Sequence, residues 1–395
     1  MSGARSGAKR TALPAYQLRD RYRGAVEPQE GMMISKGWKS WAVVVALAAL
    51  PGCGGGGSNT NPGGPTVPHK MFVSLPGDNG VSNYHVDSSG RFTVVLGSPF
   101  PAGDSPAAIV AHPSGNFVYV ANQVENDISL MKVDSGSGQL SEVMPRTPTG
   151  VNPASLAIDS AGMLLFAANE SSNSISVFSI GSSNGALSEV SGSPFPGAPG
   201  PIAIAVTPSA KFLYACNENL AAVSAFVIGA GGALQQVPGS FPVGHGPFAL
   251  AIDHKEQFLY VVNSIDNTFS VLAIDSTTGG LTPVAGSPFA AGTHPVAVAT
   301  DVTGGYVFVA NQGSSNISAF SVIDGVPTQI TGSPFTATGA MSSMKLDLSG
   351  NFLLVTDQTA KTINEYSITA STGALSTASN TITLDSAPGA FATSK

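Results

Sequence analysis

From about residue 70 onward, hydrophobic and polar positions alternate in short runs, and the runs recur. A segment of the form small-Pro-x-apolar-x-apolar-x-Asp has its Pro position at Pro106, Pro153, Pro201, Pro247, Pro295, Met341 and Pro388, in steps of 46 to 48 residues. Sixteen residues after the first six of these stand Asn122, Asn169, Asn217, Asn263, Asn311 and Asp357, each closing an aromatic-aliphatic run. Six residues further on, Ile128, Ile175, Val223, Phe269, Ile317 and Ile363 open alternating stretches such as residues 175–180. A last apolar stretch then runs into a turn, often Gly-Ser-Pro-Phe, as at residues 97–100, 286–289 and 332–335. A period of two marks strands with two distinct faces. Four strands in each unit of roughly 45 residues predict the blade of a β-propeller.

The two ends of the pattern decide between a ring and an open solenoid. Residues 71–75 and 80–87 match the second and third strands of a unit, while residues 386–395 match only the first. Together they complete one blade. The expected fold is therefore all-β, a seven-bladed β-propeller with four antiparallel strands per blade, closed by the C-terminal strand completing the first blade. Closure removes the exposed edge strands on which sheets aggregate. Two residues after each Pro position the side chain is always Ala or Ser, and three residues after it is large, from Ile109 to Phe391. These positions fall on opposite faces of the innermost strand, and the small ones suit the crowded axis of a ring.

Composition agrees with many short strands and little helix. Charged residues make up 10%, and Gly (46) and Pro (28) are abundant. Residues 1–52 hold eight Lys/Arg against three Asp/Glu, and residues 53–395 hold nine against twenty-one. The acidic second part has no basic run, which argues against nucleic acid as a partner. Lys36 and Lys39 precede an apolar run of ten residues, 41–50, too short to span a bilayer but of signal-peptide length. It ends in Leu50-Pro51-Gly52-Cys53, which resembles the lipobox of bacterial lipoproteins. The expected division is an upstream extension over 1–31, a lipoprotein signal peptide over 32–52, a Gly/Ser/Pro-rich linker over 53–69 and the propeller over 70–395. Cys53 is the expected lipidation site, giving an exported protein on the bacterial cell envelope that meets the membrane only through its lipid.

The Tyr-Val-Ala-Asn run at residues 119–122 and the Gly-x-x-Pro opening at residues 244–247 resemble the repeats of the 6-phosphogluconolactonase-like lactonase propellers. They are equally similar to the YVTN repeats of microbial surface proteins. The resemblance covers about residues 70–395. It implies the seven-bladed fold and, for enzymatic members, Arg, His and Glu in the central cleft. Here the propeller region holds two arginines, Arg91 and Arg146, neither on an inner strand.

The repeat places the loop before the first strand and the loop after the second on one rim. The blade-specific ionisable residues there are Glu170, Glu218, His245 and His294, which are the catalytic candidates. A neutral His beside a carboxylate can act as general base for lactone opening. Lys345 stands on an inner strand where other blades have Val110 or Ala, and it is a candidate ligand contact. Asn169, Asn217 and Asn263 are further ligand-binding candidates; turn capping by their short amide side chains is the alternative reading. His112 occupies a turn position held by Asp159, Asp253, Asp301 and Asp347 in other blades. Cys216 reads as a small buried hydrophobe. No His/Cys/Asp/Glu group has metal-ligand spacing, so no metal and no cofactor is expected. Two function classes follow: a binding or scaffold propeller with a small-molecule or protein ligand at the channel mouth, or a lactone hydrolase of carbohydrate metabolism.

Overall fold

The computed structural model describes residues 69–87 and 90–395. Cys53, the signal peptide, the linker up to residue 68 and the extension over 1–31 lie outside the described residues. Seven antiparallel sheets follow one another along the chain. Inner strands begin at the Pro positions, as in Pro106–Ala111, Pro201–Val206 and Met341–Leu346, and second strands end on the Asn or Asp, as in Phe117–Asn122 and Phe352–Asp357. We number the blades 1 to 7 in chain order. Blade 1 is mixed: its second strand is His69–Leu75, and its inner strand is Phe391–Ser394 from the far end of the chain. That pairing aligns Lys70 with Ser394 and Val73 with Phe391, so the ring closes as the repeat predicts.

The Gly-Ser-Pro-Phe turns lock the outer part of four blades. The Oγ atoms of Ser98, Ser193, Ser287 and Ser333 accept the backbone N–H of Asn83, Val177, Val271 and Ala319 at 2.9–3.1 Å. The glycine of each turn has a φ of 86–96°, which a residue with a Cβ rarely adopts. The phenylalanine then pairs with the start of the third strand, as Phe289 does with Phe269.

The core is seven separate seams, because the buried apolar residues form seven clusters and each joins two neighbouring blades. The small residue of one inner strand meets the large residue of the next. Ala108 packs in a cluster with Leu156, Ala249 with Val298, and Ala297 with Met344. A ring brings its inner strands closest at the axis, so large residues on both sides would overpack the seam by about 1–3 kcal/mol. Further out, Phe and Tyr fill the widening gap, and Tyr119 and Tyr214 each donate a hydroxyl across the seam, to Gly185 O and Gly279 O. The closing seam joins blades 7 and 1 through Leu354, Ile363, Met71, Val73 and Phe391.

A chain ending at Asp385 loses the axial strand of blade 1 and leaves the inner edge of His69–Leu75 unpaired. Its unfolding free energy is expected to fall by several kcal/mol, on the order of 5. Urea denaturation measures this, and a truncated chain as stable as the full one would show that the ring does not depend on that pairing.

Candidate functional site

The rim is built by one repeated set of contacts. In blades 2 to 7 the loop before the inner strand is tied to the loop after the second strand by backbone bonds, such as Glu170 N to Asn152 O (3.0 Å) and Gln312 N to His294 O (3.0 Å). The two loops therefore share one face, as the sequence implies. Beneath them the Asn series is buried. Asn169, Asn217 and Asn263 donate their amides to Ser176, Ser224 and Ser270, each seven residues on, at 2.8–3.0 Å. Asn122 and Asn311 do the same, and their Oδ1 atoms accept the backbone N–H of Gly103 and Gly292. None of these residues lines the axial cavity.

Adjacent blades are stitched together on the same face. The side-chain oxygens of Asn79, Asn126, Asn173 and Asn267 accept the backbone N–H of Ser105, Asn152, Gly200 and His294 at 2.7–3.0 Å. The accepted residue just before each Pro has a left-handed backbone, with φ of 56° at Ser105, 62° at Asn152 and 50° at His294. His294 therefore holds a left-handed backbone position where blades 2 to 5 use Ser, Asn or Gly, and it is exposed on the rim.

The four catalytic candidates lie on this rim in blades 3 to 6. Glu170 is half-buried and accepts from the Asn152 amide (2.8 Å). Glu218 is exposed at the start of a short 3-10 turn. His245 meets a partner that sequence reading did not single out. Its Nδ1 lies 3.0 Å from Asp266 Oδ2, and its backbone N–H donates to the same oxygen at 2.7 Å. That backbone bond and, after it, the ring hold the Asp266 carboxyl below its usual range. The signal for this pair was present as a register. The residue three after the Asn caps the residue two before the Pro in other blades too, as Glu125 does for Asp104, Ser172 for Val151 and Ser314 for Thr293. Only where that capped residue is a histidine and the capping residue a carboxylate does the contact acquire acid–base chemistry.

The axis itself encloses a cavity of about 470 Å³ lined by the inner strands. All seven small positions, from Ala108 to Ala390, contribute to it. Of the candidates only Lys345 lines it, and among the described residues Lys345 is the one ionisable lining residue. Its side chain is reached by solvent but ringed by protein; Nζ donates to Phe391 O at 2.8 Å and stands 5.8 Å from the Phe391 ring centroid. Burial without a countercharge lowers its pKa from 10.5 to about 8. Arg146 lies on the outer strand of blade 2, bound to Glu142 (2.7 Å) and to Glu125. Asp159, Asp253, Asp301 and Asp347 cap the turn after the inner strand by accepting backbone N–H groups. His112 serves that turn differently, with Nδ1 against Ser114 Oγ and Nε2 against Gly162 O. Cys216 is fully buried, and burial pushes its thiol well above the usual range. Among the described residues no group of three or more His, Cys, Asp or Glu is placed to hold a metal ion.

Seven sheets, each with four main strands and five of them with a short extra one, surround a lined axial cavity and carry ionisable side chains on one rim, which defines a closed seven-bladed β-propeller. The chain belongs to the family described as lactonase, 7-bladed β-propeller, which it matches over residues 78–200, 190–299 and 284–390. Its fold is similar to that of a candidate 6-phosphogluconolactonase from Bacteroides uniformis (TM-score 0.71, 17% identity, covering 82% of this chain and 99% of that one). A second candidate 6-phosphogluconolactonase, from Bacteroides fragilis, gives a TM-score of 0.70 at 22% identity, covering 86% and 99%. The periplasmic gluconolactonase PpgL of Pseudomonas aeruginosa gives 0.69 at 16% identity, covering 83% and 99%. A search of curated proteins finds no match.

The lysine makes a stability prediction. With its folded pKa near 8 and its unfolded value near 10.5, the folded state binds fewer protons between those limits. Stability gained by neutralising it therefore rises with pH across that window. Lys345→Met is expected to raise the melting temperature at pH 7, with the gain shrinking by pH 10. Thermal denaturation at both pH values tests this; an equal shift at the two would show that the enclosed charge is not the cause.

Proposed function

We propose that this protein hydrolyses a sugar lactone taken in at the rim. Membership of the lactonase propellers supports the reaction class, and an axial cavity of about 470 Å³ falls within the usual range for small-molecule sites. The observation that carries the mechanism is the His245 ring held by Asp266. Asp266 engages Nδ1, which leaves Nε2 to take a proton from the attacking water. Water adds to the lactone carbonyl, the ring C–O bond breaks, and the proton on Nε2 passes to the departing alkoxide oxygen, which becomes a hydroxyl of the product. The product is the open-chain sugar acid. In this reading Glu170, Glu218 and His294 contact substrate hydroxyls from neighbouring blades. With a single cation along the cavity, an unphosphorylated lactone is the better substrate.

Hydrolysis of sugar lactones with and without a phosphate group, followed by acid release, tests the proposal. His245→Ala and Asp266→Asn are each expected to lower kcat/KM by about 10²–10⁴, the usual worth of a general base. Turnover unchanged by both would remove the pair from the mechanism. The binding or scaffold reading is favoured by one observation, that the Glu170 carboxylate is already engaged by Asn152 within its own blade. Lactone binding without acid release would establish that reading.

We further propose that the chain is exported and held at the bacterial envelope by lipid on Cys53. The order of Lys36, Lys39, the apolar run and residues 50–53 supports this. Mass spectrometry of the native protein is expected to find lipidated Cys53 as its first residue; a mature chain starting elsewhere would refute it.

A further inference from the structure

The axial cavity carries one feature that the repeat does not use and that the proposed hydrolysis uses only in its choice of substrate. Inner strands present Val110, Ala157, Ala205, Ala251, Ala299 and Ala392 at one equivalent position, and blade 7 presents Lys345. The amine has three donor sites and one protein acceptor, Phe391 O. Around it the lining is uncharged: Ala249, Ala297, Ser343, Met344, Leu346 and Ala390 among others. The strand beside it places Leu354 opposite Lys345. Asp347, two residues along, turns its carboxylate into its own hairpin, where it accepts from Ser349 and Phe352. Of the lining hydroxyls, Ser155 accepts from Ile204 N, Ser342 bonds Thr356 and Thr300 donates to Ile252 O, and none of them carries a charge. The result is a cation with open donors in a chamber of ligand size and, among the described residues, no counter-ion.

We infer that Lys345 is the anchor of a binding site for the carboxylate of a small organic acid within the axial channel. The amine stands among the inner strands within the channel, where solvent reaches it only along the axis, so an ion pair formed there is screened less than one on the open surface. One lysine balances one carboxylate; a dianion would enter with a charge left over, which the uncharged walls do not meet. The inference deepens the proposed function, since an open-chain sugar acid is what lactone hydrolysis yields, and it assigns Lys345 to holding that acid and the rim to making it. The bare amine titrates near 8, and an arriving carboxylate favours its charged form, so binding draws a proton from solution above that pH.

Calorimetry on the full chain, with D-gluconate as probe and glucitol as its neutral counterpart, tests this. At pH 7, gluconate is expected to bind at least about ten-fold more tightly than glucitol. Lys345→Met and Lys345→Gln are expected to weaken gluconate at least about ten-fold, the worth of a hydrogen bond to a charged group, while Lys345→Arg keeps part of the affinity. Circular dichroism of each variant verifies its fold. At pH 8.5 the binding heat is expected to vary with the ionisation enthalpy of the buffer, from proton uptake, and at pH 6.5 it is not. Equal binding of gluconate and glucitol, no binding of gluconate, or affinity that survives both neutral variants would overturn the inference. So would variants that lose stability while keeping gluconate, which would make the lysine only a clasp on the C-terminal strand. Turnover is scored separately. A protein that binds gluconate but opens no lactone keeps this inference and loses the hydrolase reading, and the reverse result loses only the inference.

Discussion

Every other feature of this molecule rests on the fit of a small side chain against a large one at the axis. Ala108 against Leu156, Ala203 against Leu250 and Ala297 against Met344 set how closely neighbouring inner strands approach. That spacing fixes the diameter of the cavity and the height at which the rim loops stand. Dispersion and burial do this without directional bonds, so the seams alone would leave adjacent blades free to slide. The Asn-to-backbone bonds from Asn79, Asn126, Asn173 and Asn267 remove that freedom at the rim. Packing sets the distance between blades, and hydrogen bonds set their register.

The same division explains how much could be seen in the amino-acid order. The fold was legible because each blade repeats one local problem, so spacing and alternation recur with it. Seven blades, the mixed first blade and the small residues at the axis all follow from that recurrence. The capping role of the Asn series was also visible in principle: a serine stands seven residues after Asn122, Asn169, Asn217, Asn263 and Asn311. The candidate site was only partly legible. Glu170, Glu218, His245 and His294 could be placed on one rim, yet Asp266 emerges only once the loops before and after a hairpin are superposed. It stands 21 residues from His245, in a loop where the equivalent residues of other blades are structural. Chemistry that borrows a structural contact leaves no separate mark on the chain.

Lys345 shows the opposite case. As a departure from a repeated Ala or Val it was conspicuous, but its meaning depended on what surrounds it. A lysine at the mouth of a wide pore would be an ordinary solvated cation. Encircled by inner strands whose side chains are uncharged, it becomes the one electrostatic landmark of the axis. Asp347 comes close along the chain and is nevertheless removed from the account, because its oxygens are committed to the turn that ends its strand.

The join in blade 1 has a consequence for the order of events during synthesis. Ser74 and Ala390 share a hydrogen bond across a separation of 316 residues. As the chain leaves the ribosome, blades 2 to 7 can each assemble from contiguous sequence and dock on the one before. The first strands made must wait, with an open edge, until the last ones arrive. Nascent chains are made N-terminus first, at about 5–20 residues per second. The oldest part of this protein therefore stays unfinished for most of its own translation, and a truncated transcript produces a ring that has no way to shut.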